Sequence, residues 1–247
     1  MYIDTKAFVL RETRYKESDR ILTLFTEKLG KITASAHGAL SKRSTVSAAT
    51  QSLTYSDFVL DFRKGVYSVR EASVLEYFSG LRADIGKYSL ACYICEAVDA
   101  LCIEETSDSH ILRMLLNALY ALSNNLYADE QIKAAFELRF LSCIGYQPDL
   151  GNCIVCGTED PVDPVFGIDN GCICCRKCHA ASMGYSISIN ENVLKAMRFI
   201  VSTGIKNYIS FRIDDEDLKL LSRTIEAFFL THTDRSFSTL EYWKTVK

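Results

Sequence analysis

The residues best suited to do chemistry are cysteines, and six of the ten in this 247-residue chain lie between Cys153 and Ala180. That segment reads CIVCGTEDPVDPVFGIDNGCICCRKCHA. It contains two C-x-x-C pairs, Cys153 with Cys156 and Cys175 with Cys178, and 18 residues separate the two pairs. This spacing is typical of structural zinc ribbons.

The spacing has a direct physical reason. A two-residue gap lets both thiolates of one turn contact a single cation at about 2.3 Å. Two such turns together form a closed tetrahedral site, and four thiolates leave no position for a water molecule. We therefore predict one structural Zn²⁺ rather than a catalytic metal. Because the ligands become ordered on binding, the metal would help to fold this segment.

Three neighbouring residues leave the ligand set open. Cys172 also forms a C-x-x-C pair with Cys175, and His179 could replace Cys178. We prefer Cys175 with Cys178 because that pair matches the spacing of the first, which leaves Cys172 and Cys174 as spare thiols. A thiol-rich loop without any metal is the remaining alternative.

The sequence contains little that suggests catalysis. It has neither H-E-x-x-H nor G-x-G-x-x-G, and its four histidines are scattered along the chain. The stretch GLRADIGKY has five residues between its glycines where a phosphate-binding loop needs four, and Tyr88 stands where Ser or Thr is required. We predict that the protein is not an enzyme and uses no nucleotide cofactor.

Residues 5–75 show the pattern of β-strands. Short apolar runs alternate with polar residues, as in SDFVLDF, and Gly30 and the RKG stretch are suited to turns. Five short strands in about 70 residues predict a small barrel, because closing the sheet removes its edges. The segment HGALSKRSTVSAATQ interrupts the strands and is predicted to be a mobile loop.

From about Leu75 the apolar residues recur at helical spacing. Cys92 and Cys95 fall within such a pattern and are predicted to pack in the core. Ser188 and Glu191 have the spacing of a capping box at a helix start. The acidic run DDED is expected to begin the last long helix, where carboxylates favour the positive end of the helix dipole.

The charge distribution and the N-terminus bear on the binding partner and the location of the protein, but less specifically than the cysteine spacing does. Residues 1–80 carry 12 Lys and Arg against 9 Asp and Glu, whereas residues 81–152 carry 5 against 10. The mildly basic first third is compatible with a nucleic-acid surface and equally with an ordinary solvated one. The N-terminus has no signal-peptide pattern, and no apolar stretch is long enough to span a membrane. We therefore expect a cytoplasmic protein with reduced thiols.

Four stretches stand out within the order of a basic barrel, an acidic helical region and a four-cysteine segment: VLRETRYKESDRILTLFTEKLGK, GALSKRSTVSAATQSLTYSDFVL, AAFELRFLSCIGYQPDLGNCIVCG and GCICCRKC. In these stretches and in their order, the chain resembles the bacterial RecO family. Family members commonly have two glycines before the second cysteine pair, so Cys172 occupies a glycine position. That departure supports treating Cys172 as a spare thiol.

The resemblance implies an α+β multidomain protein. An N-terminal OB-fold β-barrel (residues 1–78) precedes an all-α helical domain (79–247), into which a four-cysteine zinc-binding segment (150–182) is inserted. It also implies a DNA repair and recombination mediator that binds single- and double-stranded DNA. RecO-like proteins anneal strands coated with single-strand-binding protein, contact the acidic C-terminal tail of that protein, and with RecR promote loading of RecA. The expected location is the cytoplasm, in association with the nucleoid.

Residues for DNA binding can be suggested from charge and position. Annealing requires a cationic surface that screens two phosphate backbones. The basic residues on the first strands and on the predicted loop are the candidates: Arg14, Lys16, Arg20, Lys42 and Arg43. Aromatic side chains on OB folds stack with bases, and Tyr15 and Tyr55 are candidates for that role or for packing on the barrel.

Two other functions remain open from the sequence. A zinc-ribbon RNA- or ribosome-associated protein on an OB scaffold would have the same combination of barrel and cysteines. A scaffolding protein without nucleic-acid contact would also fit the composition. The resemblance along nearly the whole chain favours the recombination mediator.

Overall fold

The computed structural model describes residues 1–106, 108–180 and 184–247. The predicted zinc-binding segment, 150–182, therefore includes two residues, 181 and 182, that lie outside the described part of the chain. No helix among the described residues has the length and apolar character needed to cross a bilayer.

Five strands form a closed barrel, which confirms the β-structure predicted for the first third of the chain. They are β1 (Tyr2–Tyr15), β2 (Asp19–Thr26), β3 (Gly30–Ala36), β4 (Tyr55–Arg63) and β5 (Val66–Glu76). The order is β1-β2-β3-β5-β4, and β1 pairs with β4 to close the sheet. All pairings are antiparallel except that of β3 with β5. This is an OB-like barrel.

The barrel forms because apolar residues alternate along its strands and point inward. Leu22 and Leu24 on β2 and Phe58 and Leu60 on β4 are fully buried in its core. The β4–β5 hairpin turns at the predicted RKG stretch, where Lys64 and Gly65 both have positive φ, as a two-residue type I′ turn requires.

The helices follow the barrel, with a small sheet among them. The helices are α1 (Ser79–Arg82), α2 (Ile85–Leu101), α3 (Ser109–Ser123), α4 (Asp129–Cys143), α5 (Glu191–Ser202), α6 (Asp215–Thr233) and α7 (Ser238–Val246). Strands β6 (Val165–Gly167), β7 (Cys172–Cys174) and β8 (Ser186–Ser188) pair in the order β7-β6-β8. This small sheet, which no alternation in the sequence predicts, contains part of the cysteine segment.

The chain forms two compact units. The first comprises residues 1–124 and 237–247, so that the barrel packs together with α1, α2, α3 and α7. Asp99 on α2 pairs with Arg11 and Lys31 of the barrel, and Tyr93 packs edge-on against Phe237. The second unit comprises residues 125–236. The predicted boundary between residues 1–78 and 79–247 coincides with the change from strands to helices. That these two segments are separate domains stays a prediction.

The second unit is built around α4, α5 and α6. Lys133 on α4 is fully buried and pairs with Glu137 at 2.9 Å and with Glu226 at 2.8 Å. The acidic run does begin α6, with Asp214 as N-cap. The capping box predicted from Ser188 is wrong, because Ser188 belongs to β8 and the side chain of Asn190 caps α5.

Candidate functional site

The structure brings together the four cysteines that the spacing selected. The Sγ atoms of Cys153, Cys156, Cys175 and Cys178 all lie within 4.8 Å of one another. Cys153 is buried, Cys156 is exposed and the other two are half-buried. The cluster could hold a metal ion.

Each pair sits on a tight turn whose backbone hydrogen bonds fix it. In the first turn, the Gly157 amide donates to the Cys153 carbonyl at 2.8 Å, and Gly157 adopts the positive φ that a residue with a side chain disfavours. In the second turn, the Cys178 amide donates to the Cys175 carbonyl at 2.9 Å. The Cys175 amide also donates to Cys153 Sγ at 3.4 Å, which joins the two turns.

The thiols influence one another's ionisation. Burial is the largest single effect on Cys153 and opposes its ionisation, but backbone N–H groups aimed at the sulfur lower its pKa to about 6. Hydrogen bonding with Cys156, followed by burial, raises the pKa of Cys178 to about 12. Four thiolates this close repel one another unless a cation lies between them. The donor set therefore fits a thiophilic divalent ion with tetrahedral geometry, such as Zn²⁺.

The other candidate ligands have different partners. Cys172 Sγ donates to Asn170 Oδ1 at 3.2 Å, and burial raises its pKa. Cys174 is buried behind the cluster. His179 Nε2 lies 2.8 Å from Ser186 Oγ. Within the described part of the chain, none of these three belongs to the group of four sulfurs.

Four of the five basic residues suggested for DNA binding are exposed at one end of the barrel. Arg14 and Lys16 lie at the β1–β2 turn, and Lys42 and Arg43 lie on the loop that follows β3. We call these four residues the basic loop surface. The Leu40 amide donates to the Ser18 carbonyl at 2.8 Å and thereby joins the loop to the turn.

Asp19 strengthens this connection between turn and loop. Its carboxylate accepts hydrogen bonds from the Gly38 amide at 2.8 Å and from His37 Nδ1 at 3.1 Å. The Gly38 hydrogen bond, followed by that of His37, lowers the pKa of Asp19. The two basic segments are therefore held side by side.

The structure places the fifth residue, Arg20, differently from the sequence prediction. Its side chain is buried, and the whole residue is only 7% exposed. Its guanidinium donates to the Ser47 carbonyl at 2.7 Å and to Thr50 Oγ1 at 2.8 Å, and it pairs with Glu12 at 3.2 Å. Arg20 is thus positioned to hold the loop and not to meet a ligand, and we leave it out of the DNA-contact set.

The loop itself, residues 37–54, is half packed and half exposed. Val46, Ala49 and Thr50 are buried, and Ser56 Oγ donates to the Ala49 carbonyl at 3.0 Å. By contrast, the stretch from residue 41 to 43 is exposed. The loop predicted to be mobile therefore has a packed second half that supports an exposed basic end.

The two candidate stacking residues differ in exposure. Tyr15 is 49% exposed, and Lys16 Nζ lies 5.2 Å from the centre of its ring. Tyr55 is half-buried on β4, and burial raises its pKa. Tyr15 is the one available to a base, whereas Tyr55 packs on the barrel.

A groove on the second unit was not identified from the sequence. Its volume is about 760 Å³, and its lining includes Phe199, Phe211, Lys195 and Arg212. The two rings contact each other edge-on with centroids 6.2 Å apart, while both cations are exposed. No local pattern marks this groove, because α5 and the segment before α6 contribute to it separately.

Comparisons with known proteins agree along the whole chain. A family model described as "Recombination protein O N terminal" matches residues 1–78, and one described as "Recombination protein O C terminal" matches residues 82–241. Proteins called DNA repair protein RecO are similar in sequence. The one from Acetivibrio thermocellus is 32% identical over 245 residues, covering 99% of this chain and 97% of the relative. The one from Alkaliphilus metalliredigens is 30% identical over 247 residues, covering both chains completely.

Proposed function

Since the chain belongs to the recombination protein O family, we propose that it is a DNA repair and recombination mediator that binds DNA through the basic loop surface. The observation that carries the proposal is the exposure of Arg14, Lys16, Lys42 and Arg43 together at one end of an OB-like barrel. The similar proteins are each called DNA repair protein RecO, and the proposed role follows theirs. We propose no chemical reaction for the protein.

The basic loop surface supports binding of both single- and double-stranded DNA. Lysine and arginine side chains that neutralise phosphates release counterions, so the affinity depends strongly on salt and little on sequence. Tyr15 beside this surface offers a ring for base stacking, which contributes about 1–3 kcal/mol per base in such proteins. Four exposed cations are a small set, so we expect modest affinity, and because that affinity is mainly electrostatic we expect added salt to weaken it.

We further propose that the protein anneals complementary strands coated with single-strand-binding protein and, with RecR, promotes loading of RecA. Annealing needs a surface that screens two phosphate backbones at once, and it needs no nucleotide hydrolysis. The place of action would be the cytoplasm, in association with the nucleoid, where the DNA substrate is found.

The groove on the second unit is our proposed docking place for the acidic tail of single-strand-binding protein. An acidic peptide requires cations at its binding site, and ligand pockets commonly combine a few such charged groups with an apolar floor. Lys195 and Arg212 supply the cations, and Phe199 and Phe211 supply the floor. Asp214 and Asp217 also line the groove, so we expect the tail to lie towards Lys195 and Arg212.

We propose that the four-cysteine cluster holds one structural Zn²⁺. Cys153, Cys156, Cys175 and Cys178 would all bind it as thiolates, which closes the coordination shell. When bound, the ion supplies the charge that keeps four thiolates together, and its binding free energy becomes folding free energy for the segment.

Binding to a fluorescent single-stranded oligonucleotide tests the DNA proposal. We expect Lys42→Glu/Arg43→Glu to weaken binding strongly, because each change both removes a cation and adds an anion. The matched control is Lys219→Glu/Arg223→Glu, which alters net charge equally on the exposed side of α6. If both double variants bind as wild type does, the basic loop surface is not the DNA-binding surface.

A further inference from the structure

Arg198 on α5 makes three hydrogen bonds to the backbone around the first cysteine pair. Its Nε donates to the Leu150 carbonyl at 2.7 Å. One terminal nitrogen donates to the Gly151 carbonyl at 2.8 Å and to the Glu159 carbonyl at 2.7 Å. The Leu150 and Gly151 carbonyls precede Cys153, and the Glu159 carbonyl follows Cys156. One guanidinium therefore joins the two ends of the loop that carries both thiols.

The arrangement is well suited to hold that loop in place. A guanidinium is a rigid planar fork that can donate several hydrogen bonds in fixed directions. The helix that carries it is anchored by Val193, Leu194 and Met197, all of which are buried. The loop between the two ends is itself short and is closed by the Cys153 amide, which donates to the Thr158 carbonyl at 2.7 Å.

We propose that Arg198 is a positioning residue for the metal centre: it holds the Cys153–Cys156 loop in its binding shape before the ion arrives. This inference rests on the proposed Zn²⁺ site. Without the three Arg198 hydrogen bonds, metal binding must also bring the two loop ends together. The entropic cost of that ordering lowers the affinity for Zn²⁺. The three hydrogen bonds of Arg198 go to backbone carbonyls, so we expect its replacement to leave the four-cysteine ligand set unchanged.

The test is competition for Zn²⁺ against a chromophoric chelator, using the full chain. We expect Arg198→Gln to weaken Zn²⁺ binding by roughly 10–100-fold, as is typical when a group that orients metal ligands is lost. Arg198→Lys should bind Zn²⁺ nearly as weakly as Arg198→Gln does, because one ammonium group cannot make the same three hydrogen bonds as a planar guanidinium. Arg223→Gln on α6 is the matched control, since it removes one exposed positive charge, and it should bind as wild type does.

Two further readouts separate positioning from general stabilisation. The absorption bands of the Co²⁺-substituted protein should keep their wavelengths in Arg198→Gln while more Co²⁺ is needed to saturate them. The rise in Tm that Zn²⁺ produces should shrink in Arg198→Gln, because that rise reports the metal affinity of the folded state. A residue that merely stabilised the fold would lower Tm equally with and without Zn²⁺, and that result would overturn the inference.

The remaining outcomes are also distinguishable. If Arg198→Gln binds Zn²⁺ with wild-type affinity, Arg198 does not position the loop. If Arg198→Lys binds Zn²⁺ with wild-type affinity, positive charge alone is sufficient, and the proposed role of the guanidinium is wrong. A wild-type chain that takes up no Zn²⁺ would overturn the proposed metal site and this inference together.

Discussion

Arg20 provides the sharpest prediction, because the structure gives it a role that differs from direct DNA contact. Replacing it with alanine removes the hydrogen bonds to the Ser47 carbonyl and to Thr50 Oγ1. Hydrogen bonds to charged groups contribute about 1.5–3 kcal/mol each. Losing the pair with Glu12 adds to that loss, because the Oε2 atom that faces Arg20 is itself buried. From the two hydrogen bonds alone, we expect Arg20→Ala to lower the free energy of unfolding by about 3–6 kcal/mol.

The same change should weaken DNA binding indirectly. Once released from Arg20, the loop that carries Lys42 and Arg43 must become ordered again when DNA binds. Fixing one backbone residue costs about 1–2 kcal/mol, so re-ordering one residue corresponds to a loss of affinity of roughly ten-fold. Because Arg20 is buried and bonded to the loop, we expect its replacement to leave the number of phosphate contacts unchanged.

Salt dependence distinguishes the two roles. For single strands, the slope of log K against log salt changes by about 0.7 for each phosphate contact. Fluorescence anisotropy between about 50 and 200 mM salt should therefore give a shallower slope for Lys42→Gln and an unchanged slope for Arg20→Ala. If Arg20→Ala flattens the slope as Lys42→Gln does, Arg20 contacts phosphate and our interpretation of its burial is wrong.

Three further predictions concern stability. Lys133→Met should destabilise the protein by about 3–5 kcal/mol in urea unfolding, because it leaves the buried carboxylate of Glu137 without this cation; an unchanged midpoint would contradict that role. Gly80→Ala should lower Tm, because a Cβ on this residue of α1 would lie 2.0 Å from the Ser123 carbonyl oxygen at the end of α3. An unchanged Tm would show that α1 and α3 can move apart without loss of stability. Hydrogen bonds from two asparagine side chains lower the pKa of Asp217, so its stabilisation is complete above the unfolded pKa of about 4 and is lost as the pH falls below it. The difference in unfolding free energy between wild type and Asp217→Asn should therefore be smaller at about pH 3 than at neutral pH, and a difference independent of pH would exclude this linkage.

Features fixed by neighbouring residues could be predicted from the sequence. Alternation with period two, together with turn residues such as Gly65, is sufficient to indicate the barrel strands. The two C-x-x-C pairs are recognisable for the same reason, because the geometry of each turn depends on only a few adjacent residues. The start of α6 could be predicted because carboxylates at a helix N-terminus have a local electrostatic cause.

Features fixed by distant residues could not be predicted. Arg20 belongs to a run of charged residues, which favours exposure, but its partners Ser47 and Thr50 come from a loop about thirty residues later. Arg198 likewise resembles an ordinary helical arginine until its carbonyl partners are known. The capping error has a different origin, since Ser188 and Asn190 are both good N-caps and only the strand pairing of β8 decides between them.

The most direct test of the central proposal is annealing of two complementary DNA strands, each coated with the cognate single-strand-binding protein. Wild type, Lys42→Glu/Arg43→Glu and the control Lys219→Glu/Arg223→Glu would be compared without ATP and at equal metal content. We predict that wild type and the control anneal the strands at similar rates, whereas Lys42→Glu/Arg43→Glu is much slower. Annealing by Lys42→Glu/Arg43→Glu at the wild-type rate, or no annealing by wild type, would contradict the proposal.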